Sequence, residues 1–231
     1  LKLTELIVDE KTKKIGVVSE VGVPIKEVGA VPVVSQTIEE IKKGFIDNFN
    51  IKSVSLPGFE GKEVVGIADL TRRHFDGMIG SHPAIGGLMQ KRSLDKIIIK
   101  NFEQLEEGIT GRYLGGGFPT IEIAAEGQSF SSKIIIGKKN FVVGDNYYGA
   151  LRHEMGHHIK LALSVPDRGK WDDLFDELGE GKYFTKKISE YAGTNAGEAF
   201  AECFSAYTSP KYNMGMLPKR IETYFKDILG E

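Results

Sequence analysis

The order of secondary-structure signals predicts an α+β fold, with a small mixed sheet packed on one long helix and a C-terminal helical part. Three observations predict it. Short β-rich stretches concentrate before residue 145, helical periodicity dominates after it, and the two do not alternate strictly. Two of the later helices each carry a polar pair opposite an apolar stripe, as expected of helices that face a cleft and a core at once. The 231 residues, 41% hydrophobic and 27% charged, suffice for one domain with a sizeable core and an extra arm.

Residues 1–34 are rich in Val, Gly and Pro and read as an extended N-terminal arm or loosely paired hairpin, since Pro24 and Pro32 argue against a central strand. The domain proper is expected over 35–231. A helix should start after Thr37, which forms a T-x-x-E capping box with Glu40 and precedes apolar residues at Ile38, Ile41, Phe45, Ile46 and Phe49. Residues 63–69 (EVVGIAD) read as a strand, 70–80 as helical up to the break at Pro83, 84–92 as a short helix and 96–100 (KIIIK) as a strand. A glycine-dense loop is expected over 106–120, then strands at 120–125, 133–136 and about 141–143. Asp145 or Asn146 can cap a helix running to about Ser164. A polar loop with Pro166 and Gly169 should lead to a helical turn at WDDLFDEL, followed by helices from Asn195 to about Thr208 and from Lys219 to Leu229.

The helix ending near Ser164 contains LRHEMGHHIK, with the pattern H-E-x-x-H at His153, Glu154 and His157. At about 100° per residue, His157 lies some 40° from His153, one turn on, while Leu151, Met155, Ile159 and Ala162 occupy the opposite side. Two imidazoles so placed suit a zinc ion, and Glu154 beside them suits a general base acting on activated water. A solvated polar face is the competing reading, for which His is an unusual choice. His158 points away from the pair and reads as structural.

A zinc site needs a third ligand. The extension with a further Gly and His is excluded, because Lys160 and Leu163 stand there. His74, His82 and the aspartates 167, 172, 173 and 176 are weaker candidates, more readily explained as surface or hydrogen-bonded groups. Glu198 is better: with Glu202 it shares one face of a helix whose other face carries Phe200, Cys203, Phe204 and Tyr207. Glu202 could then accept from a ligand imidazole as an outer partner. Asn195 and Glu198 also satisfy a capping box, which explains Glu198 but not Glu202.

HEMGHH followed by YAGTNAGEAFAECF resembles the catalytic domain of anthrax toxin lethal factor and its relatives among the gluzincin metallopeptidases, across about residues 151–208. The resemblance implies a zincin-like domain with one Zn2+ per chain held by His153, His157 and Glu198, and Glu154 as base. It also implies Tyr191, opening the Y-x-x-T-N run, as oxyanion or leaving-group partner, and Glu202 as the residue behind the ligands. Ala199 departs from the pattern, where an aromatic residue is expected. Related domains occur in phage and prophage proteins linked to head morphogenesis, so a larger assembly through the arm is a further expectation.

The function expected is a zinc-dependent endopeptidase acting on a peptide or protein substrate. The alternatives are a phage head or virion assembly protein in which the metal-binding helix pair is mainly structural, and an interaction domain without metal. Thirty basic against 32 acidic residues, with basic pairs scattered, give no footprint for nucleic acid, and no apolar run is long enough for a membrane span. The single cysteine, Cys203, excludes an internal disulfide. The chain opens at Leu1 without a signal segment, so a processed product or a piece of a longer protein is expected. Its compartment would be cytoplasmic or virion-associated if phage-derived, secreted if toxin-like.

Overall fold

The computed structural model describes residues 37–100, 105, 110–125 and 148–231 in full, and the backbone alone of 5–9, 14–18, 133–136, 139–142 and 146–147. The chain divides into two compact units, Leu1–Ser35 and Gln36–Glu231. In the first, β1 (Glu5–Asp9) and β2 (Lys14–Val18) pair antiparallel. Pro24 and Pro32 lie outside the described residues.

The second unit is α+β. Its four-stranded sheet contains β3 (Ile51–Ser55), β4 (Leu94–Lys100), β5 (Gly111–Leu114) and β6 (Thr120–Ala124), in the order β3-β4-β6-β5. β3, β4 and β6 run parallel, and β5 turns back antiparallel to β6 at the sheet's end. β7 (Lys133–Ile136) and β8 (Lys139–Val142) form a separate antiparallel pair.

Helix α1 (Ile38–Phe49) begins at the expected capping box: the Glu40 amide donates to Thr37 Oγ1 at 3.2 Å, and the Thr37 amide to Glu40 Oε2 at 2.7 Å. Its buried stripe is Ile41, Phe45 and Phe49, while Ile46 faces solvent, contrary to expectation. Helix α2 (Gly61–Ser81) absorbs the stretch expected to be a strand at 63–69. The β-branched Val64 and Val65 suggest a strand locally, but Ala68, Thr71, Phe75 and Met78 bury one helical face, and tertiary packing overrides propensity. Phe75 packs against Phe45 and Phe49. Pro83 opens α3 (Pro83–Lys91), its missing N–H harmless in a first turn.

Helix α4 (Asn146–Ala162) packs on β5 and β6 and against α7 (Ala196–Tyr207). Asp145, one of its two expected caps, lies outside the described residues. The polar segment expected before WDDLFDEL is instead helix α5 (Val165–Glu177), capped by Ser164, with Pro166 tolerated in the first turn. Then come α6 (Glu180–Lys187), a 3-10 turn at Tyr191–Gly193, and α8 (Lys219–Leu229) after α7. Trp171, Phe184, Phe200 and Phe225 make the aromatic centre of this helical part. Among the described residues, no helix is long and apolar enough to cross a membrane.

Candidate metal centre

The centre is made where α4 and α7 touch. Leu151, Met155 and Ile159 are fully buried, which fixes the rotation of α4 and turns His153 and His157 the other way. On α7, Phe200 and Phe204 go into the core and Glu198 and Glu202 face α4. The two helices come close because Gly156 has no side chain: a Cβ there would stand 2.8 Å from the Ala201 Cα. Ser205 adds polar cross-links, donating to the Gly149 carbonyl and accepting at its own carbonyl from Arg152 Nε.

This contact brings together His153, His157 and Glu198. The His153 Nε2 to Glu198 Oε2 distance is 3.1 Å, and His157 Nε2 lies 3.2 Å from each of those atoms. Donor atoms held 2.0–2.1 Å from a tetrahedral metal stand roughly 3.3 Å from one another. The donor triangle therefore fits a zinc-sized ion, and its N, N, O chemistry suits zinc. Glu202, which is buried, accepts from His153 Nδ1 at 2.8 Å, and this fixes the tautomer that aims Nε2 into the triangle.

Burial works against charge on His153, but its hydrogen bonds to Glu198 and Glu202 outweigh burial and lift its pKa to about 10. For Glu198, burial raises the pKa, but hydrogen bonds from both imidazoles outweigh it and bring it down to about 2. Glu154 is buried next to the triangle without being part of it, and desolvation pushes its carboxyl up. Three carboxylates around two imidazoles make a cleft that favours a cation.

The other candidates fall elsewhere. His74 stacks on Tyr148 at a centroid distance of 4.6 Å, and His82 pairs with the Glu231 side chain. Among the described residues, neither they nor Asp167, Asp172, Asp173 and Asp176 join the donor cluster. Asp167 is held by Ser164 and Lys170, and Asp172 by Lys160. Asn195 caps α7 through the amides of Gly197 and Glu198, while the Glu198 carboxylate turns to the histidines. Tyr191 is 55% exposed, its ring 5.5 Å from that of His153. Burial, and next the Glu198 carboxylate, raise its phenol to about 12, so it is neutral at ordinary pH.

No family model matches the chain, and no curated protein does. Among solved structures, a chain from Bacteroides caccae described as a "putative zinc-binding metallo-peptidase" is similar over 84% of this chain and 78% of its own, at 10% identity and a TM-score of 0.40.

Four residues at the centre escaped the sequence reading. Gly111 on β5 approaches Glu154, since a Cβ there would lie 3.0 Å from Glu154 Oε1. Tyr113 stands beside both His157 and His158, with its hydroxyl 3.3 Å from His158 Nδ1. Both stand in the glycine-dense stretch 106–120, whose composition signals a loop. Gly156 and Ser189 left no signal beyond their proximity to the motifs. His158 has the structural place expected of it: buried, with Nε2 donating to the Arg92 carbonyl at 3.0 Å.

Proposed function

We propose that the chain is a zinc-dependent endopeptidase of gluzincin type, related to the lethal factor catalytic domain. The observation that carries this reading is the pairing of the His153, His157 and Glu198 triangle with a buried carboxylate, Glu154, left out of it. A purely structural metal site has no use for such a group. His153, His157 and Glu198 would hold zinc, which when bound supplies Lewis acidity and makes water acidic enough to attack near neutral pH.

Glu154 takes the proton from the attacking water and returns it to the leaving amine. Desolvation raises its proton affinity, which suits a group that must accept and then release a proton. Tyr191, neutral and next to His153, donates to the oxygen that gains charge as the carbonyl is attacked. Glu202 keeps His153 in register.

The substrate backbone is best received along β5, the last strand of its sheet on the side of the cleft, by strand addition. Gly111 lets that strand come close to Glu154. β6 is not open to this role, because it lies between β4 and β5.

The test is proteomic cleavage profiling of zinc-loaded wild type beside Glu154→Ala. Cleavages present only with wild type are expected. Identical profiles, with zinc bound in both proteins, would leave the assembly role with a structural metal as the better reading.

A further inference from the structure

We propose that Ser189 is a positioning residue of this centre, tying the carboxylate behind His153 to the turn that carries Tyr191. The inference rests on the peptidase reading above and extends it to a residue that no motif includes. Ser189 is buried between the C-terminus of α6 and the 3-10 turn. Its hydroxyl donates to Glu202 Oε2 at 2.8 Å and accepts from the Ala192 amide at 2.9 Å.

The other Glu202 oxygen, Oε1, accepts from His153 Nδ1 at 2.8 Å. Glu202 thus spends one oxygen on each partner. Ala192 follows Tyr191 directly, so its amide bond fixes the turn at the residue next to the phenol. The Tyr191 ring returns to within 5.5 Å of the His153 ring, which closes the circuit. Ser189, Glu202 and His153 are all buried. Loss of the Ser189 hydroxyl leaves an amide and a carboxylate oxygen without their partner and frees the turn from the ligand it overlooks.

Ser189 need not touch the substrate to matter. Its effect travels through two others: the orientation of His153, through Glu202, and the placement of Tyr191, through Ala192. Partners behind metal ligands typically change metal affinity or activity by about 10–100-fold when removed.

The experiment compares Ser189→Ala, Tyr191→Phe and the double variant, each with zinc in excess and well below its melting temperature. Ser189→Ala should lower kcat by about 10–100-fold with KM within a few-fold. The double variant should be slower than Tyr191→Phe by a smaller factor than Ser189→Ala is slower than wild type, because the part of the effect that runs through the phenol is already lost. Multiplying effects, or a lowered melting temperature with unchanged kcat, would overturn the proposal.

A second measurement needs no activity. Amide hydrogen exchange at Ala192 in zinc-free protein should quicken in Ser189→Ala and also in Glu202→Ala, whose change lies across the circuit. Slow exchange retained in Glu202→Ala would show that the turn does not feel Glu202, and would sink the link. If wild type hydrolyses nothing, the peptidase reading fails by itself, and the exchange data still decide whether the link exists.

Discussion

Under the proposed reading, Glu154 and Tyr191 let chemistry be tested apart from metal holding, one residue at a time. Glu154 is buried beside the donor triangle but not in it, so Glu154→Gln is expected to keep zinc and fold normally while losing about 10²–10⁴ in turnover. Zinc analysis and peptide kinetics on the same preparation check this, and a tenth of wild-type activity would be too much. Tyr191→Phe removes only a hydroxyl from a ring that is half exposed. It should retain zinc and KM within a few-fold, with kcat down about 10²-fold. Unchanged kcat would mean that the ring merely packs beside His153. His153→Ala and Glu198→Ala should both lose the roughly one zinc per chain expected of the wild type. Full occupancy in Glu198→Ala would reduce that residue to a place in the first turn of α7.

At the scale of elements, the centre depends on how closely α4 approaches α7. Gly156→Ala would bring a methyl to 2.8 Å from Ala201 Cα and 3.3 Å from its carbonyl oxygen, so a helix must move rather than a side chain. Overpacking of this kind costs about 1–3 kcal/mol. We expect a lower urea midpoint at unchanged slope, together with weaker zinc binding, since the three donor residues sit on both helices. A midpoint equal to wild type would show slack between the helices. The sheet contributes differently. β5 is short and lies at the sheet's end, and it is Tyr113 and Gly111 that set it against His157, His158 and Glu154.

For the whole molecule, two linkages can be read out as stability. A metal that binds only the folded chain adds about 2.7 kcal/mol at a hundred times its Kd, so chelation should lower Tm and excess zinc restore it. The second is His74. Burial, and next the Arg152 charge, depress its pKa to about 3, below an unfolded value near 6.5. Between those values the unfolded chain binds the extra proton. The contribution is therefore complete above pH 6.5 and is lost as pH falls towards 3. In chelated protein, His74→Gln should flatten the stability curve between pH 7 and 5 by about 2 kcal/mol. Parallel curves for the two proteins would exclude His74 as the source.

The sequence by itself determined the α+β class, the capped helix after Thr37, the α4 and α7 faces and the residues on them. These follow from local periodicity: i to i+4 spacing puts His153 with His157 and Glu198 with Glu202, whatever the rest of the chain does. Locality also explains the errors. The β-branched start of α2 resembles a strand until its partners Phe45 and Phe49 are known, and β5 resembles a loop until β6 pairs with it. Only the tertiary structure decided that the two polar faces meet, because a helix wheel carries no distance between helices. That distance is set by Gly156 against Ala201, and by it three donor atoms on two elements come within 3.2 Å of one another.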